Sequence, residues 1–161
     1  MAALSENTYP SDSGVLVKYK IFIVAALFLS IAGCSSTMGG YIVPGESIDR
    51  NLVYKVEKNT TDERGLDEII SLQLKKKGLK VFAESSDTSK DYDVKIVYGG
   101  QWQWDVTWYL LNVDIRFYEK ESSLLLASAY SHRTSLVRKK PSQVVDEAIS
   151  ALFTLNNKEG R

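Results

Sequence analysis

The sequence predicts a two-layer α+β domain, with a mostly antiparallel sheet of roughly four or five strands and two helices packed on one face. Three observations predict it. From Val94 to Phe117, apolar residues recur at every second position across two consecutive runs, the period of strands with one buried face. Two other segments, Leu66–Leu74 and Val144–Phe153, repeat apolar residues at helical spacing. Hydrophobic residues make up 44% of the 161 residues and aromatics 11%, a composition that supports a core.

The elements follow in order. Leu52-Val53-Tyr54-Lys55-Val56 reads as a first strand. A helix then opens on a capping box, with Thr60 as N-cap and Glu63 three residues on. Leu66, Ile69, Ile70 and Leu74 form its apolar face. Lys75, Lys76 and Lys77 suit the negative end of its dipole, and Gly78 supplies the stop. Leu79–Phe82 is a short second strand, and Ser85–Lys90 a loop. In the run Val94–Trp104 the even positions (Val94, Ile96, Tyr98, Trp102, Trp104) form the face assigned to the core. Gly99-Gly100 reads as a bulge or bend. After a turn at Asp105–Thr107, Tyr109, Leu111, Val113, Ile115 and Phe117 share one face, and Asn112, Asp114 and Arg116 the other. Leu124–Ser131 is a further strand, apolar at both parities. Pro141 sits in the first turn of a last helix whose stripe is Val144, Val145, Ala148, Ile149, Leu152 and Phe153.

Few residues stand out chemically. Trp102, Trp104 and Trp108 lie close together and suit either a core or a surface that meets a glycan, a peptide or a membrane interface. Parity assigns Trp102 and Trp104 to the core. It leaves Trp108 and Leu110 as the candidate binding surface. His132 beside Arg133 has no Ser, Cys or carboxylate placed by sequence to complete a catalytic set. Arg138-Lys139-Lys140 reads as a solvated loop. Asp93, Asp105 and Asp114 match no metal-loop spacing. The expectation is a domain without catalytic residues, metal or cofactor.

The charge balance is neutral, with 20 basic and 20 acidic side chains. A neutral domain lacks the net basic face that nucleic acid requires. One cysteine and one histidine exclude an internal disulfide and a structural zinc set. Lys18-Tyr19-Lys20 precedes the uncharged run Ile21–Gly33, which is shorter than the roughly 20 apolar residues of a membrane span. A basic start, a short apolar centre and a small-residue finish make residues 1–33 a signal peptide. Residues 1–14 are polar and carry Glu6 and Asp12, so residues 1–16 read as lying upstream of an alternative start at Val17.

Ile31-Ala32-Gly33-Cys34 closely resembles the lipobox of bacterial lipoprotein precursors: an aliphatic residue, two small residues, then the cysteine that is lipidated. The resemblance implies cleavage between Gly33 and Cys34 and a diacylglycerol in thioether linkage to Cys34. Each buried methylene contributes about 0.8 kcal/mol, so one acyl chain holds marginally while two or three hold firmly. Ser35 is not the Asp associated with inner-membrane retention. The resemblance therefore implies the outer membrane, facing the periplasm, or the plasma membrane in a Gram-positive host. Residues 34–50 then read as lipidated cysteine and tether, with Ser35–Gly40 flexible. Residues 51–157 are the single globular domain and 158–161 a tail.

From Leu66 to Asn156 the pattern is also similar to small periplasmic lipoproteins of uncharacterised families. A helix ends in Leu74-Lys75-Lys76-Lys77-Gly78-Leu79, and an alternating strand follows at Tyr92-Asp93-Val94-Lys95-Ile96-Val97-Tyr98. That resemblance concerns fold and transfers no catalytic residue. The expected function is a lipid-anchored envelope module that binds or assembles with another envelope protein. The alternative is a carrier or sensor that takes a small apolar or glycan ligand on its aromatic hairpin. A cell-wall hydrolase would need a positioned nucleophile, acid/base pair or metal, and the sequence offers none.

Overall fold

The computed structural model describes residues 36–87 and 89–159. The signal segment, Gly33 and Cys34 lie outside the described residues. Eight elements follow in order: β1 Thr37–Ile42, β2 Val53–Val56, α1 Leu66–Lys76, β3 Lys80–Ala83, β4 Val94–Asp105, β5 Thr107–Glu119, β6 Leu125–His132 and α2 Pro141–Glu159. The strands form one sheet in the order β1-β6-β5-β4-β2-β3. β2 runs parallel to both β3 and β4, and the remaining pairs are antiparallel. The fold is thus the expected α+β, with six strands rather than four or five.

The additional strand is β1, and it corrects the tether assigned to Ser35–Gly40. Gly39 and Gly40 suggest flexibility in isolation, but both meet packed neighbours here. A Cβ on Gly40 would stand 2.8 Å from the Leu152 Cα, so α2 crosses β1 where no side chain intervenes. At Gly39 it would meet the hydroxyl of Tyr130 at 2.7 Å. Close approach to a helix and a ring, rather than freedom of the chain, explains this pair.

Both helices cover the same face. α1 lies over β2 and β3, α2 over β1, β6 and β5, and the two touch each other. Leu66, Ile70 and Leu74 from α1 and Val144, Val145, Ala148, Ile149 and Leu152 from α2 are fully buried. They meet Tyr54, Val56, Val94, Ile96, Tyr98, Val113, Ile115 and Phe117. Small Ala127 and Ala129 on β6 let α2 sit close. The core-facing parity of β6 is therefore odd.

The start of α1 differs from expectation. The helix begins at Leu66, with Gly65 at the N-cap in the left-handed region at φ 67°, not at Thr60 with Glu63. Asp62 does the capping: its carboxylate accepts the N–H of Arg64 at 2.9 Å and of Leu66 at 2.7 Å. Asn59 folds Asn59–Asp62 into a turn, accepting the N–H of Thr61 at 3.0 Å. That turn uses up the chain on which the capping box depended. At the other end Gly78, at φ 90°, donates to Lys75 O and Leu79 donates to Leu74 O, the expected stop.

Candidate functional site

The β4–β5 hairpin outgrows the sheet. β2 pairs with β4 only over Val94–Ile96, and β6 pairs with β5 only from Asn112 to Tyr118. Beyond those limits the two strands have only each other. The ladder slips between Gln101 and Trp102: Gln101 faces Asn112, and Trp102 faces Leu110. Leu111 is left without an opposite residue, which makes it the extra residue of a bulge on β5. The irregularity thus falls just past Gly99-Gly100. Gly100 serves a different end, since a Cβ there would meet the Leu66 Cδ2 at 2.6 Å.

One inserted residue reverses the parity of everything beyond it. Leu110 turns onto the core face and is 1% exposed, which removes it from the candidate surface. Trp108 stays on the surface at 53% exposure. Trp104, assigned to the core by parity, is 58% exposed, because the hairpin carries it past the end of the helices. Trp102 is half-buried against the core. Trp104 and Trp108 lie directly opposite, with ring centroids 5.9 Å apart. Between them Val106 alone closes the hairpin, at φ 61° and 83% exposed. A β-branched residue in the left-handed region is a strained choice for a solvent turn.

Two arginines brace this tip. Arg64, from the loop before α1, lies 4.0 Å over the Trp108 ring and 5.4 Å from that of Trp102. Such stacking contributes about 0.5–1 kcal/mol at an exposed site. Arg138 pairs with Asp105 and lies 4.7 Å over Tyr109. It explains why Tyr109 is buried although it points away from the helices. Replacing Trp108 with serine is therefore expected to lower the unfolding free energy by no more than about 1 kcal/mol, the worth of the cation–π contact. Leu110→Ala is expected to cost about 2–5 kcal/mol. Urea unfolding of the two variants separates the exposed residue from the buried one.

The remaining sequence candidates do not converge. His132 lies on the helix-free face, its Nε2 3.1 Å from Asp114 Oδ1 and its ring 5.1 Å from that of Tyr130. Arg133 points to the opposite face, is buried under α2, and pairs with Glu147. The two neighbours in sequence therefore share no site. Lys139 also reaches Glu147, so the basic triplet is largely tied to protein partners. Asp93 accepts the Val53 N–H at 2.8 Å, far from Asp105 and Asp114 in the ladder. Among the described residues no group of three or more His, Cys, Asp or Glu side chains is placed to hold a metal ion. None of the described helices is long and apolar enough to cross a membrane.

Sequence reading missed one polar cluster, at the entry to α1. Asp62 accepts the Tyr98 hydroxyl at 2.8 Å, besides its two N–H bonds, and stands 4.0 Å from Lys58 Nζ. The same ammonium lies 3.4 Å from Asp67, which is fully buried and whose Oδ2 has no partner among the described residues. Its signal is the Asn59-Thr60-Thr61-Asp62 stretch, which overlaps the Thr60–Glu63 segment that reads as a capping box. Burial pushes the Asp62 carboxyl up, but the Arg64 N–H, the Tyr98 hydroxyl, the Leu66 N–H and Lys58 outweigh it. They hold the carboxyl below its ordinary 3.8. A depressed carboxylate stabilises the fold above its unfolded value, and that contribution is lost as pH falls through the folded value. Asp62→Ala is expected to cost about 1–2 kcal/mol near neutrality. In a pH series of denaturation curves, the gap to the parent should stay flat above about pH 5 and shrink below it.

A surface groove of about 840 Å³, bordered by Pro44, Glu46, Asp49, Arg50 and Asn156, lies past the end of β1, away from the hairpin tip. Its border holds no histidine, lysine or cysteine.

No protein-family model matches the sequence, and no curated protein matches it significantly. Solved structures show likeness of fold. A PelC dodecamer from Paraburkholderia phytofirmans superposes with a TM-score of 0.55 at 13% identity, covering 72% of this chain and 98% of that one. A point variant of the same dodecamer gives 0.53 at 12% identity, covering 73% and 96%. A minor lipoprotein from Acinetobacter baumannii reaches only 0.33 at 14% identity, too low to speak for a shared fold.

Proposed function

We propose that the chain is a lipoprotein of the bacterial envelope, held by acyl chains on Cys34, whose domain acts as a binding or assembly module rather than an enzyme. The anchoring part rests on the Ile31-Ala32-Gly33-Cys34 lipobox. The outer membrane, periplasmic side, is the favoured address because Ser35 follows the cysteine. One observation carries the assembly part: among the described residues no helix covers the outer face of the sheet, and that face is neither apolar nor purely charged. It presents Tyr41 and Tyr130 beside Asp114, Arg116 and His132. Tyrosine and arginine on a surface that is soluble when bare are the residues that protein interfaces favour. The fold likeness to a PelC subunit, solved as a dodecamer, makes further copies of this chain the first partner to test.

The test takes the acylated protein from membranes in mild detergent. The expected result is a Cys34-linked diacylglycerol by mass spectrometry and a mass above the monomer in light scattering. Tyr130→Glu with Arg116→Glu should dissociate that assembly. A free thiol on an uncut chain overturns the anchoring. A monomer that also yields no specific envelope partner on cross-linking overturns the module. The glycan-carrier alternative is less favoured, because Arg64 already lies on a face of Trp108.

A further inference from the structure

We propose that the tip of the β4–β5 hairpin docks into the interface of the lipid bilayer that holds the anchor. This rests on the lipidation of Cys34 proposed above. The argument begins with the ladder. Thr37, the first residue of β1, lies opposite His132 of β6, and His132 opposite Asn112 of β5. These residues, with Gln101 opposite Asn112, mark one level across the sheet. Beyond it the hairpin continues to Val106, which at about 3.3 Å per residue is roughly 15 Å. The chain entering β1 comes from the same end, and Cys34 precedes Thr37 by three residues. Fully extended, three residues span at most about 11 Å. The leash is therefore shorter than the hairpin. With acyl chains at Cys34 inserted in the bilayer, an upright sheet brings its tip to the headgroup level.

The surface at that end suits the place. Trp104, Val106 and Trp108 are exposed on the tip, and Leu136, in the loop braced against it by Arg138, is 76% exposed. Tryptophan settles at membrane interfaces because its ring is apolar and its N–H wet. Arg64 lies over the Trp108 ring at the tip, a cation placed where an anionic phospholipid surface would attract it. The acid at the tip, Asp105, is matched by Arg138. Away from this end the exposed aliphatic side chains among the described residues are single: Leu72 on the back of α1 and Leu124 at the opposite turn.

The experiment uses the acylated protein in phosphatidylethanolamine–phosphatidylglycerol vesicles, with plain or brominated acyl chains. Brominated lipid is expected to quench tryptophan emission. In Trp104→Phe/Trp108→Phe, where Trp102 is the only tryptophan left, that quenching should be lost. Quenching by aqueous acrylamide without quenching by bromolipid places the tip in water and overturns the proposal. Protection from both quenchers places a protein over the tip and overturns it equally. Mass spectrometry of the same sample reads the anchor independently. If Cys34 carries no lipid, the unacylated chain is offered the same vesicles. Bromolipid quenching then still supports the tip contact, and its absence overturns that contact as well as the anchor.

Discussion

Replacing Phe117 with alanine is expected to lower the unfolding free energy by about 3–5 kcal/mol, measured by urea titration. Phe117 is fully buried near the end of β5, and its ring meets that of Tyr54 edge-on at 6.3 Å. Ile96 lies opposite it on β4 and Ala127 on β6. Removing the ring strips contacts from three strands at once, and the cavity cannot close without moving a helix off the sheet. Against a total stability of about 5–15 kcal/mol, such a loss leaves a marginal fold. A cost below about 1 kcal/mol would mean that the two layers are not packed as described.

The second large effect is expected from Glu147→Ala, at about 3–5 kcal/mol. Arg133 is buried under α2, and its Nε and Nη1 have no partner among the described residues. Glu147 is the carboxylate that meets its guanidinium. Without it a full positive charge remains in the interior, unpaired. Lys139, the other cation on Glu147, is far more exposed and loses little, since exposed pairs are worth about 0–1 kcal/mol. The double variant Arg133→Met/Glu147→Leu separates charge from packing. It is expected to recover most of the loss, because apolar replacement of a buried ion pair is often neutral or better. Comparable instability of the single and double variants would make packing, not charge, the cause.

These positions show how far the residues alone could be read. Periodicity is local, so the two helices, the strands after Leu52 and the Gly78 stop were legible. The failures share a feature: each depends on a residue distant in the chain. Gly39 and Gly40 look like a linker until Tyr130 and Leu152 are set against them. Thr60 and Glu63 look like a capping box until Tyr98 fastens Asp62. Trp108 and Leu110 share one parity in the sequence, but the Leu111 bulge reverses the faces beyond it, so Leu110 is buried while Trp108, farther out on the hairpin, is exposed. The Arg133–Glu147 pair leaves no trace in sequence, since its members are fourteen positions apart on different elements.

The order of residues by itself determined the class of the fold and the segment from which the anchor is inferred. Both are written in contiguous patterns, of period two, of period 3.6 and of a small-residue box ending in cysteine. Only the tertiary structure decided where the exposed tryptophans lie, that the chain enters the sheet at their end, and which charges are buried. Those facts follow from strand pairing across the sheet and from one unpaired residue in a hairpin, and neither is encoded within any single segment.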